Sequence, residues 1–164
     1  MAATRSGGPA RTAVRGLKYA GWRHLADLCA EPMAGVLAAA AARGAAPAAL
    51  VPVPLHPARR RARGFNQALL LAEALGHRTA LPVADVLVRV RPTAPQPGLG
   101  RAARAANLAG AFRAQGAVPP RVALVDDVAT SGATLAAAAA VLLAAGAETV
   151  TGVSFALALD PALR

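Results

Sequence analysis

The stretch Val122–Leu135 reads V-A-L-V-D-D-V-A-T-S-G-A-T-L and constrains the fold more than any other part of the chain. Val122, Ala123, Leu124 and Val125 form an apolar run of the kind carried by parallel strands buried on both faces. Asp126 and Asp127 stand where that strand is expected to end. A short loop with Thr130, Ser131, Gly132 and Thr134 follows, and then a long helix-forming stretch. In open α/β sheets, ligands bind outside the carboxyl ends of the strands. A helix N-terminus offers unsatisfied N–H groups to an anion. The segment therefore has the parts to hold a phosphorylated sugar: carboxylates accept from hydroxyls, while loop amides and hydroxyls donate to phosphate. A plain capping cluster with Asp127 or Thr130 as the cap is the simpler alternative. Capping alone, however, does not call for two acids, three hydroxyls and a glycine. The ligand reading requires reachable aspartates and an open turn. A buried ion pair there, or an obstructed turn, counts against it.

The rest of the chain is read around this segment. Residues 1–12 are polar with Gly and Pro and are expected to be disordered, leaving 13–164 as a single domain. Helical periodicity runs from Ala13 to Ala42, with Leu17, Trp22, Leu25, Leu28, Met33, Val36 and Leu37 as core candidates and Pro32 dividing two helices. Ala49–Pro54 reads as a strand, His56–Gly64 as a basic loop, and Phe65–Leu75 as a helix ended by Gly76. Val83–Val90 is a second strand and Arg91–Arg104 a long loop, a length that compact domains reserve for function or disorder. Arg121–Asp126, Gly132–Ala145 and Thr149–Leu159 complete the order as strand, helix and strand. The fold class is α/β, with a mainly parallel central sheet flanked by helices.

Composition narrows the chemistry. Lys and Arg number 18 against 8 Asp and Glu, a net charge of +10 that suits phosphate esters, pyrophosphate or nucleic acid. Genome base bias is the bland source of scattered arginines, but it accounts less well for the cluster Arg59, Arg60, Arg61 and Arg63. Guanidinium groups bind phosphate oxygens bidentately and stay charged. Within Arg91–Phe112, the polar groups Gln96, Arg101, Arg104 and Asn107 suit a segment closing over a ligand. A solvated basic loop and a plain connector remain the simpler alternatives for these two segments. With one cysteine, Cys29, neither an intrachain disulfide framework nor a cysteine-rich zinc site is expected. No apolar run is long enough for a membrane span, and Met1–Arg11 lacks a secretion signal's apolar core, so a cytoplasmic protein is expected. Motifs for a P-loop, a nucleophile elbow and a zinc protease are absent from the sequence.

The acidic pair followed by T-S-G-A-T resembles the phosphoribosyl-pyrophosphate (PRPP) signature of type I phosphoribosyltransferases. Beyond it the chain resembles the ComF family of competence-associated, phosphoribosyltransferase-like proteins. The landmarks are L-K-Y-A-G at 17–21, V-P-V-P-L-H-P-A-R-R-R-A-R-G-F-N-Q at 51–67, R-P-T-A-P-Q at 91–96 and R-A-A-N-L-A-G-A-F at 104–112. The N-terminal cysteine-rich zinc segment that many such proteins carry has no counterpart here. The resemblance implies that Asp126 and Asp127 hold the ribose hydroxyls. Ala129, Thr130, Ser131, Gly132, Ala133 and Thr134 would wrap the 5′-phosphate, and the 54–63 segment would face the pyrophosphate. Mg²⁺ would bridge pyrophosphate and ribose oxygens, mostly through ligand and water, as that hard cation prefers. In a transfer reaction Asp126, Asp127, Arg59, Arg101 and Arg104 would be catalytic, and Arg59 and Arg60 would bind PRPP. The acceptor is not readable. The other implied reading is a PRPP-binding or scaffold partner in DNA uptake or recombination, with a competence-machinery protein or single-stranded DNA as partner. Aromatics for base stacking are scarce, at 3%.

Overall fold

The computed structural model describes residues 1–19, 22–92 and 106–158. Its centre is a four-stranded sheet in the order β1-β6-β5-β2, with every neighbouring pair parallel. The strands are β1 (Ala2–Arg5), β2 (Ala49–Pro52), β5 (Arg121–Ala129) and β6 (Thr149–Leu157). Two further strands, β3 (Leu87–Arg89) and β4 (Phe112–Ala114), pair antiparallel as a separate ribbon. The helices are α1 (Gly8–Tyr19), α2 (Leu25–Ala41), α3 (Pro57–Arg63), α4 (Gln67–Thr79) and α5 (Ala133–Ala144). The α/β class with a mainly parallel sheet and flanking helices is as expected, and it is compatible with a phosphoribosyltransferase-like fold.

β5 lies between β2 and β6 and is covered on both faces. Alternation along the strand sends Ala123 and Val125 to one core, with Leu17 of α1, Met33 of α2 and Leu71 and Leu75 of α4. Val122 and Leu124 enter the other core, with Leu87, Phe112 and, from α5, Ala138 and Leu142. This two-sided burial is why the run reads as continuously apolar rather than alternating.

Several elements differ from the sequence reading. Residues 2–5 form β1 and α1 begins at Gly8, where disorder is expected through residue 12. The outer edge of β6 supplies unpaired backbone groups, and Ala2, Thr4 and Arg5 pair with Ser154, Ala156 and Leu157. Pro32 sits inside α2 and does not divide it; the break falls between Tyr19 and Leu25. Pro32 and Leu28 face solvent, so the carbonyl of Leu28 that loses its helical partner can be hydrated. The same exposure removes Trp22 and Leu28 from the core, while Leu17, Met33 and Leu37 are buried. The Val83–Val90 strand shrinks to β3 and leaves the main sheet, apart from a single bridge between Val83 and Leu50.

α4 runs past Gly76 to Thr79. A Cβ at Gly76 would lie 2.9 Å from the Leu81 carbonyl oxygen and 3.3 Å from a Val83 methyl. The glycine thus permits close approach of the returning chain and does not end the helix. Gly35 of α2, by contrast, is exposed with nothing within 4 Å. Gly76→Ala should destabilise by about 1–3 kcal/mol through overpacking. Gly35→Ala should stabilise by about 0.4–1 kcal/mol by restricting the unfolded chain. Urea titrations of both variants check the opposite signs.

Candidate functional site

The turn from β5 to α5 is short. β5 ends at Ala129, Thr130 is exposed, and Gly132 takes a left-handed conformation (φ 75°) at the N-cap of α5. The Ser131 hydroxyl accepts from the Ala133 N–H at 3.4 Å. The next amides, of Thr134 and Leu135, have no intrahelical acceptor, as in any first helical turn. A Cβ built on Gly132 meets nothing within 4 Å. Ser131, Gly132 and Ala133 stand at one end of a cavity of about 620 Å³ that runs along α5 past Ala137 and Val141, with Leu108, Gly110 and Phe112 also lining it. Among the described residues nothing obstructs the turn at Gly132.

The aspartates behave differently. β5 continues through them to Ala129, because β6 is long enough to pair Asp126 with Ser154 and Val128 with Ala156. They are therefore within the strand and buried, not at its open end. Asp127 follows Ala123 and Val125 toward the α1, α2 and α4 face. There Lys18 Nζ of α1 lies 2.7 Å from Asp127 Oδ2. That contact compensates charge but lies outside hydrogen-bond geometry, and Oδ2 has no hydrogen-bond partner. The expectation of two aspartates standing open to a sugar is thus not met in this ligand-free geometry: Asp127 is buried in an ion pair.

Asp126 follows Val122 and Leu124 toward the other face. Its Oδ1 accepts from the Asp127 N–H at 2.8 Å. Burial is the main force raising its pKa well above 3.8, with the neighbouring Asp127 charge adding to it and Lys18 opposing. Arg89 of β3 lies within electrostatic range of Asp126 and stands over the Phe112 ring, 5.4 Å from the centroid. Burial and then the charge of Arg59 push the Arg89 pKa down, while Asp126 pushes it up. Arg89 thus lies within electrostatic range of both Arg59 and Asp126.

Arg60 and Arg61 line a separate cavity. Arg101 and Arg104, with most of the expected lid, lie outside the described residues. Lys18 and Arg89 were missed by sequence reasoning. Lys18 sits within the L-K-Y-A-G landmark, which was the one available signal. Nothing local singles out Arg89. Among the described residues no group of three His, Cys, Asp or Glu side chains could hold a metal ion. No helix among them is long and apolar enough to cross a membrane.

The chain is 39% identical over 109 residues to competence protein F of Haemophilus influenzae. It is 42% identical over 106 residues to the DNA utilization protein YhgH of Salmonella typhi, and 40% identical over 106 residues to that of Escherichia coli K12. Each match covers 63% of this chain and 48%, 47% and 47% of the relatives respectively. The matched stretch is ComF-family sequence. The chain spans about half the length of the curated relatives it matches. No family model and no solved structure matches it.

The ComF-type block at 51–67 has a clear structural basis. Residues 57–63, expected as a loop, form α3 because Pro57 occupies its first turn and His56 Nδ1 accepts from the Ala58 N–H at 3.3 Å. Gly64 ends the helix with φ 80°. The Phe65 ring lies 5.0 Å from the Arg23 guanidinium carbon. Asn66 caps α4 by accepting from the Ala68 N–H and donates to the Val53 carbonyl at 3.1 Å, fixing α4 to the end of β2. Arg63 donates to Gln67 at 2.6 Å.

Removing the cation with Lys18→Met should cost about 3 kcal/mol, because it strands a buried carboxylate. Chemical denaturation at pH 7 measures it. Native Asp126 holds its proton more tightly than the unfolded chain, so its contribution to stability is largest below pH 3.8 and is lost as pH rises toward the raised native value. Asp126→Asn should therefore gain stability over the parent at pH 7, with the gap narrowing toward pH 4. Burial, and then Asp127, push the Cys29 thiol up to about 11. Thiol labelling at pH 8 should accordingly wait on unfolding.

Proposed function

We propose that this protein binds PRPP at the β5–α5 turn in a DNA-utilization or competence setting, and that it can transfer the phosphoribosyl group to an acceptor. One observation carries the reading: two residues after the paired carboxylates, the T-S-G-A-T turn passes through left-handed Gly132 into the N-terminus of α5, and among the described residues nothing lies within 4 Å of a Cβ at Gly132. The 5′-phosphate would take the amides of residues 131–134 and the hydroxyls of Thr130, Ser131 and Thr134. The ribose hydroxyls would take Asp126 and Asp127, which requires Lys18 to swing away or to join the ligand's phosphates. At 24% exposure, Lys18 has solvent to move into. The competence setting comes from the relatives' names.

In a transfer, a nucleophile forms the new bond to the anomeric carbon while the bond to pyrophosphate breaks, and pyrophosphate leaves with the electron pair. This chain's part is to position the sugar and stabilise the departing charge, with Arg59, Arg101 and Arg104, joined by Arg89, as the candidates for that work. The all-oxygen pair Asp126 and Asp127 suits Mg²⁺ carried in with PRPP once Lys18 has released Asp127 Oδ2. That ion would neutralise charge on the pyrophosphate oxygens.

The Lys18–Asp127 pair favours a second reading. Here the fold is kept with its carboxylates sealed, and the protein acts as a non-catalytic partner in DNA uptake or recombination, with single-stranded DNA as a weaker option.

PRPP with Mg²⁺ at about 100 times its Kd should add about 2.7 kcal/mol, or about 5–11 °C in Tm. The double variant Asp126→Asn, Asp127→Asn and the turn variant Gly132→Val should each lose the shift, each compared with its own unliganded Tm. No shift in the parent protein overturns PRPP binding. A shift without pyrophosphate release across bases and amines favours the non-catalytic reading.

A further inference from the structure

A cavity of about 450 Å³ lies between α3, the start of α4 and the β3–β4 ribbon. Its volume falls within the range of small-molecule sites. Its chemistry is mixed. Leu55, Leu69 and the half-buried Val88 give it apolar walls, and Arg60 and Arg61 of α3 and Arg89 of β3 line it from two different elements. Among its described lining residues Asp85 is the single carboxylate, so positive charge prevails. The wall amides are spent internally: Asn66 caps α4 and bonds Val53, and Gln115 donates to the Asp85 carbonyl at 3.1 Å. Arg60 and Arg61, both exposed on α3, are thus the polar groups suited to a ligand. A bare phosphate or pyrophosphate gains nothing from leucine walls, and a neutral apolar molecule gains nothing from guanidinium groups. A nucleic-acid backbone would use the exposed rim and leave the apolar interior unfilled.

We infer that this cavity is a binding site for a small organic anion with a flat apolar body and one phosphate or carboxylate group. The body packs between Leu55, Leu69 and Val88, and the anion meets the fork donors of Arg60 and Arg61. The inference does not rest on PRPP binding at the β5–α5 turn.

Isothermal titration of the full chain with four probes tests it. Phenyl phosphate combines charge and body, inorganic phosphate has charge alone, benzamide has body alone, and oligothymidylate presents a phosphate backbone. Phenyl phosphate should bind saturably below about 1 mM and more tightly than the other three. Arg61→Glu should weaken it at least about tenfold, while Arg61→Lys, which keeps charge but not the fork, should fall between. Excess pyrophosphate with Mg²⁺ should not displace it. Absence of phenyl phosphate binding, equal binding of inorganic phosphate or benzamide, or unchanged affinity in Arg61→Glu overturns the proposal. So does displacement by pyrophosphate, which makes the cavity the pyrophosphate end of the first site, and so does tighter binding of oligothymidylate. A null result with PRPP leaves this inference standing, and a null result with phenyl phosphate leaves the PRPP reading standing.

Discussion

The burial of two carboxylates inside β5 is the constraint around which the molecule is arranged. A parallel strand flanked on both edges and covered on both faces is a poor place for charge. The fold answers differently at each aspartate. Asp127 is met by Lys18, which ties α1 to the end of the sheet. Asp126 accepts a backbone N–H and is pushed toward its protonated form. Replacing such groups with apolar ones would often be neutral or stabilising, so their presence in so hydrophobic a strand speaks for a use other than stability.

That use divides across the β5–α5 turn. Beyond Ala129, among the described residues, Gly132 has nothing within 4 Å of where a Cβ would stand, and the first amides of α5 follow it. Before Ala129 both acids are buried, Asp127 against Lys18 of α1 and Asp126 toward the opposite face of the strand. An anion can reach the helix end without disturbing anything, whereas a polyol must displace a lysine. Recognition of a sugar phosphate would then proceed phosphate first, and the cost of freeing Asp127 sets how selective the hydroxyl end is.

What was legible in the sequence follows from how local each signal is. The apolar run of β5, the glycine turn and α5 follow from period and backbone chemistry within a few residues. α3 was hidden because four arginines in a row of seven residues look like solvated loop, although Pro57 and His56 supply a proper helix start. β1 was hidden because the reason for it, an unpaired edge on β6, lies some 150 residues away in the chain. Pro32 misled because its effect depends on which way the ring faces, and it faces water. At the site, the Asp-Asp and T-S-G-A-T residues could be named in advance, but their burial could not. It depends on β6 extending the ladder to Leu157 and on a lysine more than a hundred positions upstream. Arg89 enters only because the ribbon folds back beside Asp126.

α3 contributes no buried side chain to either core. Its position is held from its two ends, by the His56 cap and by the Gly64–Asn66 joint that locks α4 to β2. Its guanidinium groups therefore behave as fixed spokes on one axle. Adding or deleting a single residue within it would rotate every downstream spoke by about 100°, changing which arginines line the neighbouring cavity. The number of residues between the two joints thus matters as much as the number of charges.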